Sequence, residues 1–169
     1  MSLAATESPF PIPRGLALAL AALGPVAIGA VFAAKGGDPT PIAAAPAIVF
    51  GVLAATSPAL YIAIAATGDA PPIGRVIRAV VVGLGAFGIA LAGLVMPAVF
   101  LSLSSVTQAT TVAVSSLALG GAALLGCRRL AMELAPRSLA AFTVIGVWAL
   151  ATLGIAGRLW WNLAAEVLS

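Results

Sequence analysis

Apolar residues in this chain do not alternate with polar ones but run together in five blocks, at about residues 15–34, 41–67, 76–101, 106–130 and 138–163. Each block reaches or exceeds the roughly 18–20 residues that an α-helix needs to cross a hydrocarbon core about 30 Å thick. A transmembrane β-barrel needs short segments of alternating polarity, whereas these blocks are continuous and rich in Ala, Leu and Gly. The pattern predicts an all-α integral membrane protein, a bundle of about five transmembrane helices forming one domain over residues 15–169. An extended Pro-rich arm over residues 1–14 is expected to precede it, because Pro9, Pro11 and Pro13 each lack an amide donor and fix φ. A secretory signal is the competing reading of the first block, with Val31-Phe32-Ala33 as its cleavage site. The block is long for such a signal and its leading segment is nearly neutral, so it is expected to remain as a span.

The breaks between blocks carry the chemistry of helix ends. Gly36-Gly37-Asp38-Pro39 and Gly68-Asp69-Ala70-Pro71-Pro72 each place glycine after a helix and proline just beyond it. Ser105-Val106-Thr107-Gln108 fits a capping box in which Ser105 and Gln108 satisfy the first amides of the fourth helix. Pro136 closes the next connection, and Ser138 is suited to cap the fifth helix. The similarity of the first two breaks is explained by shared turn chemistry without invoking a duplication.

Charge adds an orientation. With the N-terminus in the cytoplasm, Arg14, Arg75, Arg78, Arg128, Arg129 and Arg137 fall on the cytoplasmic face and only Lys35 and Arg158 on the other. Six basic residues against two follow the positive-inside rule, and the C-terminus is then on the opposite side. Arg158, Trp160 and Trp161 are expected as anchors at that outer interface, with Arg158 snorkelling and Asn162 and Glu166 continuing its helical face outward. Composition agrees with membrane insertion: 62% of residues are hydrophobic and 8% charged, against about a quarter charged in soluble domains. The mean hydropathy is +1.19. Seven arginines to one lysine, with abundant alanine, hint at a GC-rich genome and hence at a bacterial cytoplasmic (inner) membrane.

Candidate chemistry is sparse. Histidine is absent, which removes the usual general base and the imidazole ligand of haem and zinc. No serine has a histidine or a mid-helix lysine to activate it. The sequence therefore predicts no catalysis, no cofactor and no metal. With a net charge of +3 and no basic cluster interleaved with aromatics, nucleic acid is not an expected partner either. Cys127 stands alone beside Arg128 and reads as a small apolar residue.

Small residues at helix-packing spacing are the stronger pattern. Ala79, Gly83, Ala86, Ala90 and Gly93 follow one another along the third block, with Gly85, Gly88 and Ala92 as a second ridge. Gly120 and Ala123 continue the theme in the fourth, and Gly146, Gly154 and Gly157 in the fifth. Within lipid, helices associate by close backbone approach, which small residues permit. The leading expectation is a non-catalytic membrane subunit that self-associates, or docks with other membrane subunits, through the faces of Ala79 to Gly93 and of Gly120 and Ala123. A second reading is a small channel or transporter for an uncharged or weakly polar solute, its path lined by Thr56, Ser57, Ser115, Ser116 and Thr143 near the proline kinks. A third is a protein that interacts with lipids or shapes the membrane, suggested by the polar helix ends at Arg128–Arg137 and Arg158–Glu166. Membrane lipids are partners in all three.

Overall fold

The computed structural model describes residues 14–68, 71–104 and 107–168. They form five helices: α1 (Arg14–Gly36), α2 (Thr40–Ala66), α3 (Ile73–Ser104), α4 (Gln108–Leu134) and α5 (Leu139–Leu168). All five are long and apolar enough to cross a membrane. Of the expected Pro-rich arm over residues 1–14, residues 1–13 lie outside the described residues and Arg14 opens α1; Asp69, Ala70, Ser105, Val106 and Ser169 also lie outside them.

Local chemistry sets the helix ends. Gly37 adopts a left-handed φ of 76° after α1, and Gly68 one of 78° after α2, conformations that cost glycine nothing. Asp38 Oδ1 accepts hydrogen bonds from the Thr40 amide (2.9 Å) and hydroxyl (2.8 Å) at the start of α2. Those bonds hold its carboxyl below the usual carboxylate range. Pro71 and Pro72 lead directly into α3, where Arg75 N already donates to Pro72 O. This helix therefore starts three residues before the expected position, since proline favours a helix's first turn. At α4 the capping residue is Thr107, in extended backbone, with its hydroxyl accepting from Thr110 N at 3.3 Å. The expected box falls on Ser105, outside the described residues; the helix begins at Gln108, two residues after the expected 106, with Thr107 supplying the cap oxygen. Ser138 caps α5 as anticipated, accepting from Ala141 N at 3.1 Å. With 32 residues α3 is the longest helix. At about 1.5 Å per residue it is about 48 Å long, against about 30 Å for a hydrocarbon core.

The helices pack in the spatial order α5, α2, α1, α3, α4, with α3 on α4 the most extensive contact and α1 on α3 the next. The ends of this series, α4 and α5, touch only lightly. Two apolar clusters result. One joins Ile28 and Phe32 of α1 to Phe87 and Leu91 of α3 and to Ala118 and Ala122 of α4. The other gathers Leu60 and Ile64 of α2, Val76 and Ala79 of α3, Leu130 and Leu134 of α4, and Ile145 and Trp148 of α5.

Glycines govern the closest approaches. A Cβ on Gly83 would lie 3.1 Å from Gly126 O and 3.0 Å from Leu130 Cβ; one on Gly126 would lie 3.0 Å from Gly83 O. This reciprocal fit is the α3–α4 crossing. Gly24 of α1 faces the Leu91 side chain, and Gly85 and Gly88 of α3 are also buried. Gly83, Gly85 and Gly88 of α3 are thus buried within the chain.

Candidate functional site

Between α2, α3, α4 and α5 lies a cavity of about 320 Å³. Its two ends are marked by tryptophans of α5. At one, the Trp160 ring meets Phe32 edge-on, with centroids 5.1 Å apart, and its indole N–H donates to Ser116 Oγ at 2.8 Å. At the other, Trp148 donates to Thr56 O at 2.8 Å and packs on Leu60 and Leu130. Thr152 Oγ1 donates to Thr56 Oγ1 at 3.2 Å beside it. The walls are otherwise apolar: Val49, Leu84, Leu119, Ala123 and Ala156 are typical. Gly120 of α4 and Gly157 of α5 line the cavity and are exposed on the bundle surface, with nothing within 4 Å of the Cβ either would carry. They mark its mouth, where α4 and α5 barely meet.

Left empty, such a space would deprive its lining of the contacts that neighbouring atoms otherwise supply. Water is poorly held there. A buried water needs several polar partners, and the Ser116 and Thr152 hydroxyls and both indole N–H groups already bond within the protein.

A second cavity of about 260 Å³ lies at the bundle end where Pro72 and Arg75 face Pro136 and Arg137. Ile64, Leu134 and Ile145 border it and pack against Leu130 and Trp148, which border the first. An apolar layer therefore separates the two. At the same end Arg78 Nε pairs with Glu133 Oε1 at 2.9 Å, joining the start of α3 to the end of α4.

The structure distributes the sequence-predicted residues unequally. Ala79 and Gly83 are buried toward α4, Ala86 and Ala90 are half-buried, Gly93 is exposed with open space around it, and Gly120 and Ala123 line the cavity. The hydroxyl residues do not converge on one track. Thr56 Oγ1 donates to Val52 O and Ser57 Oγ to Leu53 O; neither serves Ala54 O, the carbonyl that Pro58 leaves without its helical donor. Ser115 is buried, Ser116 is held by Trp160, and Thr143 is exposed and donates to Leu139 O. Of the expected interface anchors, Arg158 and Trp161 are exposed, but Trp160 turns into the bundle because its N–H finds Ser116 there. Trp148 escaped the sequence reading. The signal was present: a lone tryptophan inside an apolar helix must place its indole N–H somewhere.

That bond carries a prediction. Trp148→Phe keeps the apolar packing but loses the 2.8 Å bond to Thr56 O, so reversible unfolding in mixed micelles should show a loss of about 1 kcal/mol. Thr152→Val should change little, since Thr56 still donates to Val52 O. Equal stability of Trp148→Phe and the parent would remove the bond from the account of how α5 is held.

Compared with known families, curated proteins and solved structures, the chain matches none.

Proposed function

We propose that this chain is a non-catalytic component of a membrane that associates laterally with a second copy or with other membrane subunits. The observation that carries the reading is the one-sided attachment of α5. This helix rests mainly on α2, barely touches α4, and presents Gly154 on the outside with nothing near it. Gly93 of α3 is open in the same way. Both permit the close backbone approach on which helix association in lipid depends. Gly83, by contrast, is committed to α4 and is no part of this surface.

Mass measurement in nanodiscs tests the proposal. The native chain should appear at a multiple of 16.6 kDa, or with another subunit, and Gly93→Leu or Gly154→Leu should reduce it toward the single chain without loss of helicity. A native particle of one chain, unchanged by either substitution, would sink the idea. The channel reading draws less support, because the main cavity is apolar and an apolar layer closes it off from the second.

The orientation we propose, with the N-terminus in the cytoplasm of a bacterial cell, is supported by the six-to-two distribution of basic residues. An impermeant thiol reagent applied outside should label Lys35→Cys and spare Arg137→Cys in a Cys127→Ser background. The reverse pattern would invert the topology.

A further inference from the structure

We infer that the cavity between α2, α3, α4 and α5 is a binding site for one acyl chain of a membrane phospholipid, which enters between α4 and α5 past Gly120 and Gly157. The inference is independent of whether the bundle associates with other helices, and requires only that the bundle sits in a bilayer.

Size decides first. Trp160 and Trp148 bound the cavity twelve positions apart on α5, which is about 18 Å along a helix. A volume of about 320 Å³ drawn out over that length makes the cavity a long, narrow slot and not a round void. A polymethylene chain, whose carbons meet their neighbours at about 4 Å, fits such a slot.

Chemistry decides next. Both indole N–H groups and the Thr152 hydroxyl on the lining already donate within the protein, so the guest gains chiefly by contact. The mouth opens on a bundle surface that includes exposed Leu117, Leu124 and Leu150, the surface that faces hydrocarbon in a bilayer. A lipid chain reaches the site from there without crossing water. Charge supplies a direction. Cys127 lines the end of the cavity nearer Trp148, and α4 continues from it into Arg128 and Arg129, both exposed. Glu133, the acidic residue nearest along α4, is paired with Arg78. A phosphate at that end would complement the two arginines while its chain runs inward toward Trp160.

The two end tryptophans make the site observable. In vesicles of phosphatidylglycerol brominated at mid-chain, a Trp161→Phe variant retains only Trp148 and Trp160, and both should lose most of their emission relative to unbrominated vesicles. Gly157→Leu, which narrows the mouth, and Ala123→Phe, which fills the slot from within, should each restore that emission at unchanged helicity. A variant keeping only Trp161 (Trp148→Phe, Trp160→Phe) should be quenched in every background, because it reports surrounding lipid. Brominated phosphatidylglycerol should quench more than brominated phosphatidylcholine, and Arg128→Gln with Arg129→Gln should abolish the difference. Emission of Trp148 and Trp160 that is indifferent to bromination, or quenching that survives both Gly157→Leu and Ala123→Phe, would overturn the site. Disulfide linkage between copies through Gly157→Cys, together with absent quenching, would overturn it in favour of a neighbouring protein.

Discussion

Gly29→Ala is expected to destabilise the protein, although the same substitution in an ordinary helix interior stabilises by about 1 kcal/mol. Gly29 lies where α1 crosses the first turn of α2. A Cβ built there would collide with Pro41 O and would stand 2.7 Å from Pro41 C and 2.8 Å from Ile42 Cα. These are backbone atoms, so no rotamer change relieves the overlap. Relief requires α1 and α2 to move apart, and the short Gly37–Pro39 connection allows little of that. Neighbouring side chains are already packed: Ile28, Phe32 and Pro41 are all buried. Overpacking against a fixed backbone costs about 1–3 kcal/mol for small insertions and more for larger ones. We expect Gly29→Ala to fall in that range and Gly29→Val to prevent assembly of a stable bundle. Gly51→Val is the matched control, since Gly51 is exposed on α2 with nothing within 4 Å. The readout is the unfolding midpoint in mixed micelles. A Gly29→Ala protein as stable as the parent would mean that α1 and α2 cross less closely than described.

Gly83→Leu should be comparably severe, and for a reason that also bears on function. Gly83 and Gly126 face each other across the α3–α4 crossing, each with the other's carbonyl at 3.0–3.1 Å from its would-be Cβ. Alanine at either position asks for a shift of a few tenths of an ångström, and so should cost little. Leucine forces the helices apart and strips Ala79, Phe87 and Leu130 of their contacts; a loss above about 3 kcal/mol is expected. Alanine at both positions should cost less than the two single changes added together, because the separation that admits one Cβ at this crossing also makes room for the other. On the same helix, Gly93→Leu should leave stability unchanged, as it points into open space. Equal stability of Gly83→Leu and Gly93→Leu would contradict the packing. The contrast also shows why Gly83 is unsuited to probing association: its substitution breaks the single chain first, and any change in mass would follow from that.

Much of the architecture was legible because the bilayer imposes simple rules. Five apolar blocks long enough to span must be helices if their backbone groups are to be satisfied without water, and five such helices are present. The ends at Gly37, Gly68 and Ser138 were readable from residue chemistry, since a left-handed glycine or a capping hydroxyl acts over three or four residues. The start of α4 was placed two residues early because Ser105 and Thr107 both carry a hydroxyl suited to capping, and local sequence does not rank them; Thr107 is the cap.

The small residues show where reading along the chain stops. Spacing revealed that Ala79, Gly83 and Gly93 lie near one side of a helix, and that such a side invites close approach. It could not reveal that Gly83 meets Gly126 within the chain while Gly93 meets nothing. Both arrangements have the same periodicity, and in lipid the packing force between helices carries no label of inside or outside. Trp160 makes the same point from the other direction. A tryptophan near the end of a span suits an interface anchor, yet here Ser116, forty-four positions away, draws it inward.

The sequence by itself determined that the chain forms helices long and apolar enough to span a membrane, how many there are among the described residues, and roughly where they end, because hydrophobic length and end-capping are local properties. Only the tertiary structure decided which ridges are used up in internal contacts, which glycines stay open, and that four helices leave an apolar slot between two tryptophans. Those depend on the order in which helices pack. That order is settled by the fit of side chains distant in sequence, which no local pattern records.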